Sequence, residues 1–260
     1  MIMELKTEFV DNSNVTENDF GLILSSFGNN HDINRIKRYL RRRELGEPME
    51  YILGRLIFRD LEFLVDKRVY ITDPELTILV DEVIKAIFDT CTKPDPVVVE
   101  CGVGCGSLSI SLKKFYPDVR GIGLDLDPDA LVVANKNIQK HNVDVLLIES
   151  DLFSDLPPEI VPDLIFADPP WGDEESLYDN DRDARYYHAM PCLSAYPVGG
   201  VISVHENILK EIKKRGWKSH VVLNMGVLEE KYIKKLSDMT AWFEVKKVKG
   251  ISILHCKMNL

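Results

Sequence analysis

The chain of 260 residues lacks paired cysteines, long apolar runs and internal repeats. Its five cysteines are odd in number and scattered without C-x-x-C spacing, which excludes a disulfide framework and a zinc site. The apolar runs are short and strand-like, which excludes a transmembrane span. The segment Met1–Asp11 is polar and acidic, unlike a secretory signal. These absences predict a cytoplasmic protein without a membrane segment or a bound metal.

Positive charge is also scarce. Lysine and arginine number 32 against 42 aspartates and glutamates, which gives a formal net charge of -10. Proteins that hold a phosphate backbone gain affinity from clustered cations. The basic run Arg35–Arg43 is one such cluster, but the field of the whole chain repels nucleic acid at long range. We therefore predict that nucleic acid is not the partner.

The chain has enough apolar residues, 45%, for one large core and a small appended unit. Residues 1–70 are predicted to form a small N-terminal region. It contains a weakly patterned lead-in, a helix over Asp32–Arg43 and a β-hairpin within Ile57–Val65 that turns at Arg59–Asp60. Residues 71–260 are predicted to form the second and larger domain, which begins with a helical run after Pro74.

Strands and helices alternate after residue 96. The clearest helix covers Pro128–His141, where apolar residues recur on one face. Such alternation predicts a doubly wound α/β fold with a seven-stranded, mostly parallel, Rossmann-like sheet, whose ligands bind beyond the carboxyl ends of the strands. The predicted strands are Val97–Cys101, Gly121–Leu124, Val145–Ile148, Leu164–Ala167, Val201–Val204, Val221–Met225 and Ile251–His255.

A glycine-rich loop, Glu100–Gly106, follows the first of these strands. Gly102 and Gly104 allow the backbone to turn tightly and approach a ligand without a Cβ in the way. A dinucleotide-binding loop has a similar pattern, but Glu100 would repel a pyrophosphate and could instead bind the ammonium group of a methionine moiety. Asp125, at the end of the next strand, suits the ribose hydroxyls of either cofactor. The loop therefore predicts an S-adenosylmethionine site.

Another acidic residue, Asp151, follows the third strand. Its carboxylate could accept a hydrogen bond from an adenine amino group, with Leu126 and Leu152 as apolar walls. Aspartate is also a common turn former and helix cap, and this alternative stays open for Asp151 alone. With Glu100 and Asp125 upstream, the cofactor interpretation is favoured.

The tetrapeptide Asp168–Trp171, Asp-Pro-Pro-Trp, ends the fourth strand. Two prolines fix φ and lack N–H donors, so a preceding carbonyl can point outward as a free acceptor. That carbonyl, at Pro169, and the carboxylate of Asp168 could hold a nitrogen through its hydrogens and aim its lone pair at a methyl group. Asp168 is therefore predicted to contact the cofactor as well as the acceptor. Trp171 could stack on a planar or cationic target. Catalysis would then come from alignment and from removal of the nitrogen's proton.

The segment Gly172–His188 is rich in aspartate and glutamate and would favour a cationic substrate if it lay at the mouth of the site, although an ordinary solvated acidic loop has the same composition. His188, His205 and Glu206 could assist proton removal. We expect these three residues to be structural, as polar residues near strand ends usually are.

These motifs resemble the HemK/PrmC family of N5-glutamine methyltransferases, which modify the Gly-Gly-Gln glutamine of peptide release factors. The resemblance implies a class I methyltransferase fold, cofactor contacts at Gly102, Gly104, Asp125 and Asp151, and a target nitrogen held by Asp168 and Pro169. The segments that carry the resemblance are Arg43–Gly54, Phe58–Phe63, Glu100–Gly106, Gly123–Leu131, Ser150–Phe153 and Asp168–Trp171.

This chain departs from the family at the tetrapeptide, where the family has asparagine instead of Asp168 and usually tyrosine instead of Trp171. An ionised carboxylate only accepts hydrogen bonds, which suits an amine, a guanidinium or a nucleobase amino group. The segment Ile71–Thr77 also keeps little of the family's I-P-R-P-E-T-E. We therefore predict an S-adenosylmethionine-dependent N-methyltransferase that acts on an amine, guanidine or amide nitrogen of a peptide, protein or small molecule, with an amine or guanidine favoured. The alternatives are a release-factor glutamine, a nucleobase amino group and a non-catalytic scaffold.

Overall fold

The computed structural model describes residues 2–11, 13–28, 32–171 and 188–258, with only the backbone described at Leu193 and Ala195. The N-terminal part is helical, and a box of reciprocal hydrogen bonds between Thr16 and Asp19 caps its second helix. A small apolar core that includes Phe9, Ile23 and Leu40 holds these helices together. They are α1 (Ile2–Lys6), a π-helical turn (Thr7–Asp11), α2 (Glu17–Ser26), α3 (Ile33–Glu44) and α4 (Met49–Leu53).

A β-hairpin follows, formed by β1 (Arg55–Phe58) and β2 (Leu61–Leu64). Its two turn residues, Arg59 and Asp60, have φ angles of 49° and 61°. Positive φ at both central positions is the geometry that matches the twist of a hairpin, so the predicted turn is confirmed. The buried aromatic side chains of the hairpin join the core of the large sheet rather than that of the N-terminal helices. A domain boundary at residue 70 stays a prediction.

The large sheet has seven strands in the order β5-β4-β3-β6-β7-β9-β8. All neighbours are parallel except β9, which is antiparallel to both β7 and β8. The strand order reverses on either side of β3, so the carboxyl ends of β3 and β6 flank the switch point where such sheets bind ligands. The strands are β3 (Val97–Cys101), β4 (Arg120–Asp125), β5 (Val145–Glu149), β6 (Leu164–Ala167), β7 (His220–Gly226), β8 (Trp242–Val248) and β9 (Ile251–Lys257).

Helices cover both faces of the sheet, because alternate residues of the central strands are buried on opposite sides. On one face, α5, α6, α7 and the hairpin pack over residues such as Val98 and Phe166. On the other, α9 and α10 pack over residues such as Val99 and Ile165. The doubly wound prediction is confirmed. The helices are a 3₁₀ turn (Pro74–Leu76), α5 (Thr77–Thr90), α6 (Ser107–Phe115), α7 (Pro128–His141), α8 (Cys192–Ala195), α9 (Ser203–Arg215) and α10 (Glu230–Ser237).

Two strand assignments differ from the prediction. The predicted strand Val201–Val204 is wrong, because α9 begins at Ser203 and its buried residues recur at helical spacing. The strand β8 was not predicted, because it lies at the sheet edge and its first three residues are exposed, so it lacks a regular apolar pattern. Within the described ranges, no helix has the length and apolarity to span a membrane.

Candidate active site

A cavity of about 570 Å³ opens at the carboxyl edge of the sheet, beside the switch point. It brings together the predicted cofactor and catalytic residues from four different strand ends. All the residues that the sequence singled out for these roles line it: Glu100, Gly102, Gly104, Asp125, Leu126, Asp151, Leu152, Asp168, Pro169 and Trp171.

The glycine loop between β3 and α6 forms one wall. Gly102 and Gly104 have φ angles of +77° and +52°, which are accessible to glycine at little cost. A Cβ added at either glycine would meet no atom within 4 Å, so the loop borders open space there. Val103 of the loop packs closely on Gly123 of β4, since a Cβ at Gly123 would lie 2.6 Å from a methyl carbon of Val103. We call the loop around Gly102 and Gly104 the glycine cradle.

Asp125 ends β4 and faces this cradle. Its Oδ2 accepts the N–H of Gly104 at 2.8 Å, and its Oδ1 accepts the N–H of Asp127 at 3.0 Å. Burial raises the pKa of the Asp125 carboxyl, while these backbone donors act in the opposite direction. Each oxygen keeps lone-pair capacity for another donor. The carboxylate is thus fixed in orientation and able to accept hydroxyl groups.

Glu100 lies at the floor of the cavity with 1% of its surface exposed. Its Oε2 accepts the backbone N–H of Ser109 at 3.0 Å and the hydroxyl of the same residue. Burial raises the pKa of Glu100 to about 8 despite these donors. Part of this carboxyl is therefore occupied by α6, and its predicted role toward an ammonium group stays a prediction.

Asp151 and its apolar neighbours form the rim. The carbonyl of Asp151 accepts the N–H of Ser154 at 3.1 Å, so this residue starts a turn and lines the cavity at once. Leu152 has a φ of 50°, and Leu126 is 56% exposed. Asp151 is therefore a turn former that also lines the cavity, and its contact with a cofactor stays a prediction.

Asp168 follows β6 on the side opposite the cradle. Burial raises the pKa of its carboxyl to about 7, and the nearby carboxyl of Asp73 raises this pKa further. The side-chain amide of Asn224 opposes that shift by donating a hydrogen bond from Nδ2 to Oδ1 of Asp168 at 2.7 Å. A carboxyl with a pKa near neutrality can exchange a proton under physiological conditions.

Asn224 and Gly226, at the end of β7, are site residues that the sequence analysis missed. Asn224 lines the cavity and contacts Asp168 directly. Gly226 supports the indole of Trp171, since a Cβ at this glycine would lie 2.6 Å from a ring carbon. An asparagine near the end of an apolar strand, two residues before a glycine, was a signal that could have identified both.

The segment before α5 supplies a second missed wall. Asp73 and Glu75 line the cavity, and the hydroxyl of buried Thr72 lies 2.6 Å from that of Ser107 at the start of α6. The lining residues that the structure describes include a single basic side chain, Lys249. Their carboxyls number seven: Asp73, Glu75, Glu100, Asp125, Asp127, Asp151 and Asp168. The cavity therefore favours cations.

The three candidates for proton removal do not line the cavity. His188 is exposed. His205 is fully buried, its Nε2 lies 3.0 Å from the carbonyl oxygen of Asn224, and burial lowers its pKa to about 4. Glu206 pairs with Lys210 and Lys235. The acidic segment Gly172–His188, for which a position at the mouth of the site and an ordinary solvated loop were both open, lies outside the described residues except for His188.

The chain is similar to known methyltransferases. Residues 78–185 match the family model described as the methyltransferase small domain. The chain is 30% identical over 164 residues to the release factor glutamine methyltransferase of Enterococcus faecalis, which covers 63% of this chain and 57% of that protein. It is 30% identical over 152 residues to the enzyme of the same name from Geobacter sulfurreducens, with 58% and 51% covered. The resemblance drawn from the motifs is confirmed, and the chain spans a little over half the length of these relatives.

Solved structures extend the likeness to the fold. The 16S rRNA N2 G1207 methyltransferase of T. thermophilus, solved with AdoMet and guanosine, is 17% identical with a TM-score of 0.56, over 79% of this chain and 50% of that one. The hMettl16 catalytic domain, solved with an RNA hairpin, is 13% identical with a TM-score of 0.57, over 99% and 89%. At such identities these matches show the class I methyltransferase fold.

Proposed function

We propose that this chain, a relative of the HemK/PrmC methyltransferases, is an S-adenosylmethionine-dependent N-methyltransferase that acts on an amine or guanidine group of a peptide, protein or small molecule. One observation carries the proposal. The glycine cradle with Asp125 and the carboxyl of Asp168 line the same cavity, on opposite sides of the switch point. A methyl donor held by the first and an acceptor held by the second would meet between them.

The chain's residues fit the cofactor. The backbone beside Gly102 and Gly104 is open on the cavity side, and a Cβ there would occupy the space that a ligand needs. Asp125 is oriented to accept ribose hydroxyls, and Asp151 lies at the rim with Leu126 and Leu152 to hold a purine. When bound, S-adenosylmethionine supplies an electrophilic methyl group on a sulfonium centre.

The acceptor nitrogen belongs at the tetrapeptide. The carboxylate of Asp168 and the carbonyl of Pro169 would accept its N–H bonds and turn its lone pair toward the cradle. As the neutral nitrogen forms its bond to the methyl carbon, the bond from that carbon to sulfur breaks and the sulfur leaves as a neutral thioether. The nitrogen gains positive charge and must then lose a proton. The carboxylate of Asp168 would stabilise that charge, and its pKa of about 7 allows it to take the proton. The indole of Trp171 would cover the acceptor from one side.

The choice of an amine over an amide rests on charge. The curated relatives are named for glutamine methylation, which acts on a neutral amide. The family that the chain resembles has an asparagine where this chain has Asp168. In this chain a carboxyl stands there, within a cavity lined by seven carboxyls and one lysine. Such a wall would stabilise a cationic substrate and the cation that forms during transfer. A release-factor glutamine is therefore the less favoured substrate.

We predict that nucleic acid is not a partner, and the ion pairs made by the basic run Arg35–Arg43 support this. In α3, Lys37 and Arg41 contact Glu8, Arg42 contacts Glu47, and Arg43 contacts Asp19. Cations that are neutralised in this way have less to offer a phosphate backbone. We also propose the cytoplasm as the compartment, from the scattered and unpaired cysteines.

The test is methyl transfer from isotopically labelled S-adenosylmethionine to a defined panel of acceptors. The panel holds lysine and arginine peptides, polyamines, a Gly-Gly-Gln peptide, and RNA and DNA oligonucleotides. We expect label on the amine or guanidine acceptors, with kcat/KM rising as pH increases through about 7, the pKa of Asp168. Label on the glutamine peptide or an oligonucleotide alone would contradict the substrate class. Label on none, together with no binding of S-adenosylhomocysteine, would contradict the activity.

A further inference from the structure

The side chain of Asn224 holds one oxygen of Asp168 and leaves the other for a substrate. From this geometry we infer that Asn224 is a specificity-determining positioning residue. It fixes Oδ2 of Asp168 as the atom that faces the acceptor nitrogen, and it requires a carboxylate rather than an amide at position 168. The inference rests on the proposed function, because it assumes that the acceptor binds beside Asp168.

The orientation of the Asn224 amide follows from its second partner. The backbone N–H of Gly226 lies 2.9 Å from Oδ1 of Asn224. A backbone N–H can only donate, so the amide atom beside it must be the oxygen. Nδ2 then faces Asp168, 2.7 Å from Oδ1 of the carboxyl. Asn224 is thereby committed as a donor to Asp168.

The backbone around Asn224 is also fixed. The pairing of β7 with β9 shifts between Asn224 and Gly226, which marks a bulge at this strand end. Bulges beside active sites redirect a side chain at the expense of regular ladder pairing. The ring of His205, neutral because its pKa is about 4, lies with Nε2 3.0 Å from the carbonyl oxygen of Asn224. His205 thus holds the carbonyl of the residue whose side chain holds Asp168.

This arrangement explains why the chain departs from the family at position 168. An asparagine there would have two choices beside a donating Asn224. If its oxygen faced Asn224, its NH₂ group would face the substrate nitrogen, which also carries N–H donors. If its NH₂ group faced Asn224 instead, that group and the NH₂ group of Asn224 would be two opposed donors. A carboxylate satisfies Asn224 with one oxygen and still accepts from the substrate with the other.

The same logic predicts that exchanging the two residues restores an accepting atom toward the substrate, without restoring the carboxyl that takes the proton. In the variant D168N/N224D, one carboxylate oxygen at position 224 can accept the N–H of Gly226. The other can accept from the amide NH₂ at position 168. The oxygen of that amide then faces the acceptor. The charge of the pair is unchanged, and an accepting atom is again presented to the substrate.

The test compares two cofactor analogues and needs no knowledge of the acceptor. In sinefungin, a carbon replaces the sulfonium sulfur of S-adenosylmethionine, and a primary amine replaces the methyl group. S-adenosylhomocysteine has neither an amine nor a methyl group at that position. The ratio of their affinities, measured by calorimetric titration, reports whether residue 168 presents a hydrogen-bond acceptor to the sinefungin amine. We expect the sinefungin preference to fall about tenfold or more in D168N, since a charge-assisted hydrogen bond is lost. It should return to within about threefold of the wild type in D168N/N224D.

Two controls separate orientation from charge alone. D168A/N224D places a carboxylate at position 224 without an accepting group at position 168, and we expect no recovery. D163N makes the same chemical change at the other end of β6, away from the cavity, and should leave the ratio unchanged.

The outcomes are distinguishable. If the wild type binds neither analogue, the proposed function fails. If all variants bind S-adenosylhomocysteine but D168N keeps the sinefungin preference, or D168N/N224D does not regain it, the inference fails. If D168N/N224D does not fold, N224A decides. Because Asn224 lowers the pKa of Asp168, its removal should move the pH midpoint of the wild-type preference upward, and an unmoved midpoint overturns the inference.

Discussion

Two aspartates at the two ends of β6 show how one residue type serves two purposes. Asp163 precedes the strand, and its two oxygens accept the N–H of Val97 at 2.9 Å and the ammonium of Lys93 at 2.7 Å. Asp168 follows the strand, lines the cavity, and has a pKa raised to about 7. The carboxyl of Asp163 holds β3 to β6. The carboxyl of Asp168 is buried beside the open cavity, with a hydrogen bond from Asn224 that does not offset the cost of burying its charge. Perturbed carboxyls in clefts of this kind mark functional sites.

The largest expected effect is the loss of activity on changing Asp168, at the carboxyl end of β6. Asp168→Ala should lower methyl transfer by about 10²–10⁴-fold, because it removes the group that orients the nitrogen and takes its proton. Affinity for S-adenosylhomocysteine should stay within about threefold of the wild type, since this molecule lacks the methyl group beside which Asp168 would lie. Initial rates with the labelled donor and calorimetric titration measure the two quantities. A variant that keeps a tenth of the wild-type rate would contradict the role of Asp168.

The next effect tests the support of the tetrapeptide. Gly226→Ala should lower methyl transfer by about 10–100-fold, because the new Cβ would displace the indole of Trp171 and shift the acceptor site. Gly216→Ala is the matched control. Gly216 also has a positive φ, but a Cβ there meets nothing within 4 Å. Both variants should lose about 1–2 kcal/mol of stability in denaturant unfolding. Equal activities of the two variants would show that the indole needs no support from position 226.

A smaller effect sharpens the contrast at the structural end. Asp163→Ala should lower the free energy of unfolding by about 1–3 kcal/mol, because the N–H of Val97 and the ammonium of Lys93 lose their acceptor. The rate of methyl transfer per folded molecule should not change, since Asp163 does not line the active-site cavity. Urea titration gives the first quantity and initial rates give the second. A selective loss of rate would place Asp163 in the catalytic machinery.

The smallest effect concerns stability and pH. A carboxyl whose folded pKa is raised to about 7 binds a proton in the native state that the unfolded chain releases at lower pH, so its contribution to stability falls between about pH 4 and pH 7. Asp168→Asn removes this penalty. We expect the Tm to rise by about 4 °C or more at pH 8, and by clearly less at pH 5, where the native carboxyl is still protonated. A gain confined to pH 5 would have the wrong sign for a raised pKa.

Much of the fold could be predicted from sequence, and so could the role of Asp168 as a site residue, but not the structural role of Asp163. The periodicity located six of the seven strands and the helix Pro128–His141, and the glycine loop and tetrapeptide identified the cavity's two sides. The edge strand β8 escaped because exposed residues obscure its pattern. Val201–Val204 misled because a short apolar run fits a buried helix as well as a strand.

The partners of Asp168 could not be predicted in the same way. Asn224 and Asp73 are 56 and 95 positions away in sequence, and only the sheet order and the turn before α5 bring them to this carboxyl. The acidic segment Gly172–His188 left two interpretations open, a mouth that favours cations and an ordinary solvated loop. In the described residues the acidic lining includes Asp73, where the chain departs from the family's I-P-R-P-E-T-E segment, and Glu75, which that segment keeps.

The central claim is that the cradle with Asp125 holds a methyl donor across the cavity from Asp168. Calorimetric titration of the wild type, Asp125→Ala and Asp163→Ala with S-adenosylhomocysteine tests it most directly. We expect one site per chain in the wild type and in Asp163→Ala. In Asp125→Ala, affinity should fall by about tenfold or more as the hydrogen bonds to the ribose are lost. Absence of binding to the wild type, or equal affinity in all three proteins, would contradict the account.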